Sequence, residues 1–184
     1  MSKKRKSKKA YSSLVSMLKF CVFLLVVLLI SYFLTNYVFR RTIVRNVSMQ
    51  ETLHDGDNVI MDEIPSHLKN IKRYEVICFK SYSEKELLIK RVIGLPGETV
   101  NIKDGTIYID GEEIKDVRGL TEPKDAGLAA YDIVLSDDEY FVLGDNRDES
   151  IDSRFEQVGN VRKRDIIGKA WLVYFPFNHF KVIK

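Results

Sequence analysis

The chain has 184 residues, of which 45% are apolar and 30% charged, with two cysteines and three histidines. That apolar fraction excludes wholesale disorder. Two cysteines exclude a disulfide scaffold or a Cys-based zinc module, and three scattered histidines show no ligand spacing, so neither a metal nor a cofactor is expected. The net charge of +3 hides an asymmetry. Residues 1–19 carry seven basic groups and no acid, which leaves 22 basic against 26 acidic groups in the rest. The basic character is a tail and not a folded face, so no nucleic-acid partner is expected.

The tail, residues 1–19, leads into Phe20–Phe39, which is 20 residues without a charge. A helix of that length spans about 30 Å, the hydrocarbon thickness of a bilayer. A cleaved signal peptide needs small residues of the A-x-A kind after its apolar run. Here Ser31-Tyr32-Phe33-Leu34-Thr35-Asn36-Tyr37 follows, and no Ala occurs between Ala10 and Ala126. A retained single-pass anchor over residues 20–39 in the cell membrane is the better reading. The excess of basic residues ahead of it predicts a cytoplasmic N-terminus and an extracytoplasmic domain over residues 40–184.

That domain reads as mainly β. Asn58–Met61, Glu75–Lys80, Leu87–Gly94, Thr99–Lys103, Thr106–Ile109, Glu139–Leu143 and Gly168–Phe175 are short runs rich in Val, Ile, Tyr and Phe. Asp104-Gly105 and Asp110-Gly111 signal tight turns. Ile64–Ile71 suggests a helical turn or two, and residues 116–132 suggest a surface loop. The expected architecture is a set of folded-over antiparallel sheets or a barrel, preceded by one transmembrane helix.

Three segments hold residues that can carry chemistry. In Leu87–Gly94, Lys90 and Arg91 sit in the middle of an apolar strand. Either both snorkel to solvent at an edge, or the lysine is buried with a depressed pKa and serves as a base. In Gly144–Arg154, three Asp, two Arg and two Ser crowd eleven residues. That is either a polar turn or a loop locked by charge-assisted hydrogen bonds. In Val47–Leu53, Ser48-Met49 has no meaning alone. A Ser-His-Asp triad would draw on His54 and Asp55, but His54 reads as a turn residue before Asp55-Gly56, and His67 and His179 have no motif around them.

Taken in order, these segments resemble the type I signal peptidases, membrane-bound Ser-Lys proteases. Ser48-Met49 with Thr52-Leu53 is similar to their nucleophile box. Lys90-Arg91-Val92-Ile93-Gly94-Leu95-Pro96-Gly97-Glu98 is similar to their lysine box. Gly144-Asp145-Asn146-Arg147 through Ser150 and Asp152-Ser153-Arg154 is similar to their Gly-Asp-Asn-Arg box. The compact form with one anchor resembles the Gram-positive branch. Glu51 stands where Pro is usual, Val47 where Gly, Asp or Pro is common, and Glu149 where Asn is frequent. Some pilus-linked relatives also depart from the housekeeping pattern.

The resemblance implies Ser48 as nucleophile and Lys90 as general base, with Ser150 orienting the lysine amine. Asn46, two residues before the nucleophile, stands where relatives often supply an oxyanion-stabilising hydroxyl. Asp145, Arg147, Asp152 and Arg154 are implied as the structural loop. A neutral lysine near pH 7 needs its pKa brought down from about 10.4 by roughly three units. The implied substrates are exported preproteins with small residues at the cleavage site, met at the lipid bilayer, with pilins as one candidate class of dedicated client. The alternative is a non-catalytic, membrane-tethered β-domain that binds or chaperones exported proteins.

Overall fold

A computed structural model of the chain describes residues 2–37, 39–62, 70–81, 87–114 and 122–183. The expected helical turn at Ile64–Ile71 and His67 lie almost wholly outside these residues. So does the first part of the expected 116–132 loop; the remainder contains a 3-10 turn at Gly127–Ala130. The chain divides into two compact units, Met1–Phe39 and Arg40–Lys184.

The first unit is one helix, α1 (Ser2–Tyr37). Its Ser13–Tyr32 stretch has a mean hydropathy of 2.7, long and apolar enough to cross a membrane. Leu, Val, Ile and Phe side chains are exposed all round this stretch, as in a helix solvated by lipid. The helix ends at Tyr37, and Phe39 already belongs to a strand. The expected anchor, 20–39, overlaps this stretch over Phe20–Tyr32.

The second unit is mainly β. In chain order its strands are β1 (Phe39–Ile43), β2 (Asn58–Asp62), β3 (Val76–Lys80), β4 (Leu87–Gly94), β5 (Thr99–Lys103) and β6 (Thr106–Ile109). They continue as β7 (Glu112–Glu113), β8 (Ile133–Val134), β9 (Glu139–Leu143), β10 (Val161–Arg162), β11 (Ile166–Phe175) and β12 (Lys181–Val182). One sheet runs β1-β2-β11-β3-β4-β9-β10, with β12 also on β11; the other runs β7-β6-β5-β8. The seven expected strands are present, and the two-residue strands were too short to leave a pattern. Asp104-Gly105 and Asp110-Gly111 have positive φ at all four residues and close the β5–β6 and β6–β7 connections. That backbone suits the right-handed twist of paired strands.

Alternation along the strands sorts the core. On β9, Tyr140 and Val142 join Ile77, Phe79 and Val92, while Phe141 and Leu143 join Ile93 and the inward residues of β5 and β6. A third cluster places Met49 and Leu53 against Val44, Val59, Val76, Ala170 and Val173. This cluster anchors the turn that carries Ser48. On β4, Val92 joins one cluster and Ile93 another, so the strand packs on both faces and residues 90–94 are buried without a break.

Candidate active site

Ser48 opens a turn that is held from beneath and from the side. Met49 and Leu53 are buried pegs, 1% and 0% exposed. Gln50 N–H donates to the Val47 carbonyl, and Leu53 N–H donates to the Met49 carbonyl. Asn46 leads into the turn with φ 84°, and its N–H donates to Asp55 Oδ1 at 3.0 Å. Glu51 has φ 90°, a conformation closed to the proline usual at this point in the resembling family. Here the departure in sequence and the local backbone agree.

Lys90 lies at the centre of β4, opposite Ile77 of β3. It is 3% exposed, and its Nζ donates to Ser48 Oγ at 2.6 Å. Of the two readings open to this lysine, the edge-snorkelling one fails, because β4 is flanked by β3 and β9. Burial disfavours the ammonium and pulls the pKa from 10.5 to about 8. Asp152 and Asp145 oppose that shift and Arg154 adds to it.

Arg91, the next residue, is wholly buried as well. Its Nε and Nη2 reach Asp145 Oδ1 and Oδ2 at 2.8 and 2.6 Å. Its Nη1 donates to the Tyr74 carbonyl at 2.7 Å, and Nη2 also reaches Thr52 Oγ1 at 3.0 Å. One guanidinium thus joins the lysine strand, the end of the Ser48 turn and the 144–154 loop. No spacing in the sequence shows this, since Arg91 and Asp145 lie 54 residues apart.

The 144–154 loop is a closed network and not a solvated turn. Asp152 accepts from Gly144 N–H at 3.0 Å and from Arg154 Nε at 2.8 Å. Arg154 Nη2 donates to the Arg147 carbonyl at 2.6 Å, and Arg147 Nε donates to the Gly144 carbonyl at 2.9 Å. Asn146 was not singled out from sequence, yet its N–H donates to the Ser48 carbonyl at 3.1 Å and its Nδ2 to the Val47 carbonyl at 3.2 Å. Its signal was its place in the Gly-Asp-Asn-Arg run.

Ser150 and Asn46 stand differently. Ser150 Oγ is buried without a hydrogen-bond partner among the described residues. The bond to Lys90 that the resemblance implies is not made in this structure. Instead the hydroxyl lies over Gly144: a Cβ built there would meet Ser150 Oγ at 2.2 Å and the Ser48 carbonyl at 2.4 Å. Asn46 is exposed and lines a groove of about 960 Å³ that also takes in Ser48, Lys90, Ile43, Val47 and Ile151. Ser48 N–H donates to no acceptor among the described residues. The arrangement can take a proton from a hydroxyl in a partly apolar cleft and leaves one nearby N–H free for a developing anion.

The family described as signal peptidase, peptidase S26, matches residues 17–175. Signal peptidase I of Bacillus amyloliquefaciens is 31% identical over 168 residues, covering 88% of this chain and 89% of that protein. Signal peptidase I T of Bacillus subtilis (strain 168) is 30% identical over 168 residues, covering 88% of this chain and 86% of that one. Among solved structures, a signal peptidase I from Enterococcus faecalis V583 is 31% identical, covers 55% of this chain and 97% of its own, and gives a TM-score of 0.45.

Proposed function

Because the chain belongs to the S26 family of signal peptidases, serine endopeptidases that remove signal peptides from exported preproteins, we propose that Ser48 is its nucleophile and Lys90 its general base. The observation that carries this is the 2.6 Å contact from a sequestered lysine, with its pKa down at about 8, to a serine hydroxyl facing a groove. A hydroxyl is a weak nucleophile until a neighbouring base takes its proton. Neutral Lys90 accepts that proton as Ser48 Oγ adds to the scissile carbonyl. The resulting ammonium then protonates the leaving amine, giving an acyl-enzyme. Lys90, neutral again, takes a proton from the water that hydrolyses the ester.

The Ser48 N–H is the backbone donor for the oxyanion, and the Asn46 side-chain amide is the second donor. Ser150 is a positioning residue for the Lys90 amine, reached by rotation of its unpartnered hydroxyl. Asp145, Arg147, Asp152 and Arg154 hold the loop that clamps the Ser48 carbonyl. The apolar N-terminal helix, in a member of this family, makes the protein membrane-anchored. In our reading the basic tail lies in the cytoplasm and residues 40–184 outside it, at the surface of the lipid bilayer.

The test is cleavage of a precursor panel, with pilin precursors as one arm, by wild type, Ser48→Ala, Lys90→Ala and the double variant. Loss in each single variant, with the double variant no worse, is expected of groups that act as a unit. Activity surviving in Lys90→Ala but lost in His54→Ala would sink the assignment. Protease added outside spheroplasts should digest the folded domain and spare Lys3–Lys9.

A further inference from the structure

Two of the chain's three histidines, His54 and His179, meet at one carboxylate far from each other in sequence. Asp57 is 0% exposed, and its two oxygens are divided between them. His179 Nδ1 lies 2.8 Å from Asp57 Oδ1, across 122 residues of chain. His54 donates its backbone N–H to Oδ2 at 2.9 Å, which turns its ring back over the same carboxylate. The two rings stand with centroids 4.8 Å apart and planes 38° apart. His54 Nδ1 is enclosed, makes no hydrogen bond among the described residues, and stands 3.9 Å from Asp57 Oδ2. An enclosed ring nitrogen left without a partner is unfavourable, and a ligand at that nitrogen would remove the penalty.

We propose that His54, Asp57 and His179 form a site for a divalent transition metal of the zinc class. The donor set is two imidazoles and one carboxylate, the set that such ions prefer over the all-oxygen sets of magnesium and calcium. The three ligating atoms lie within 4.8 Å of one another. A tetrahedral ion with bonds of about 2.0–2.2 Å needs them roughly 3.3–3.5 Å apart. Small rotations of the rings, whose side chains are 43% and 33% exposed, bring them to that spacing while buried Asp57 stays fixed. Their exposed edges leave the fourth position to water.

The sequence showed no metal site because the ligands come from separate places. Asp57 precedes β2, and His179 ends the 3-10 turn Phe177–His179 after β11. Pairing of β2 with β11 brings these ends together. A bound ion would tie the Phe177–His179 turn to the segment that follows the Ser48 turn, so it is a stabilising staple outside the Ser48–Lys90 pair. The inference does not depend on the roles proposed for those two residues.

The test uses the full chain in detergent, stripped with a chelator and titrated calorimetrically with Zn²⁺ alone. One ion per chain is expected, with a rise in Tm, and Co²⁺ in its place should give the visible absorption of a four-coordinate ion. His54→Ala and His179→Ala should each weaken zinc binding by at least ~10-fold. His54→Gln should show the same loss with the metal-free Tm unchanged, which separates ligation from folding. Precursor cleavage without metal should match wild type in all three. Absence of one-to-one zinc uptake, uptake undiminished in the histidine variants, or equally strong uptake of Mg²⁺ would each overturn the proposal.

Discussion

Arg91 grips Asp145 with two parallel hydrogen bonds, 2.8 and 2.6 Å long, and both side chains are sealed from solvent at 1% and 0% exposure. Lys90, its neighbour on β4, makes the contact to Ser48. Successive residues of a strand face opposite sides. One strand thus presents a reactive amine to one side and a structural cation to the other. The second holds the loop whose Asn146 fixes the backbone of Ser48.

Removing either member of that pair leaves a buried charge uncompensated. Arg91→Met and Asp145→Ala should each lower stability by about 3–5 kcal/mol in denaturant unfolding. Arg91→Lys should not restore it, because an ammonium cannot make the two-point fork. The double variant should cost less than the sum of the singles. Near-additive losses would mean that the two groups do not act as a pair.

The pH response of Lys90 has a definite sign. Its folded pKa, about 8, lies below the unfolded value of 10.5, so the cleavage rate should rise with pH through a midpoint near 8. The same shift destabilises the fold. The unfolded lysine takes up its proton as pH falls below 10.5 and the folded one only as pH falls below 8, so the fold is less stable by about 3 kcal/mol under pH 8; the cost fades as pH climbs from 8 to 10.5. Lys90→Met keeps the stem and drops the amine. It should abolish cleavage and raise stability at neutral pH by ~1–3 kcal/mol, part of the gain being offset by the lost Ser48 contact. Unfolding at pH 7 and pH 10 for both proteins checks this; a gain that persists at pH 10 would point to better packing and not to the charge.

Gly144 is required by its neighbours and not by its backbone angle. The Cβ of Gly144→Ala would fall 2.2 Å from Ser150 Oγ and 2.4 Å from the Ser48 carbonyl, well inside van der Waals contact. The serine carbonyl must move or the loop must open. Stability should drop by about 1–3 kcal/mol, and cleavage should fall far more than the unfolded fraction explains. Gly144→Ala paired with Ser150→Gly removes one of the two clashes and should recover part of the stability.

Ser150→Ala separates packing from positioning. Its hydroxyl is buried and unpartnered, so its removal should leave stability unchanged or raise it by up to about 1 kcal/mol. If the hydroxyl turns to the Lys90 amine during the reaction, kcat should fall and the pH midpoint should shift, with Ser150→Thr restoring part of both. A residue with a purely structural part would leave the pH profile unmoved.

Sequence patterning alone determined the apolar helix, the mainly β class and the boundaries of strands such as Leu87–Gly94 and Thr99–Lys103. These follow from local rules: the length of an apolar run, the two-residue period of a half-buried strand, and the Asp-Gly pairs whose positive φ closes a hairpin. Motif order marked Ser48 and Lys90, but strand pattern left open whether that lysine was wet or dry. Only the tertiary structure decided it, because burial depends on β4 being an inner strand and on the distant Ser48 turn meeting the amine. The same holds for the Arg91–Asp145 fork, the clash that only glycine avoids at position 144, and the meeting of His54 and His179 at Asp57. Each joins residues distant in sequence, where the distance in space is set by sheet pairing and not by any local preference of the chain.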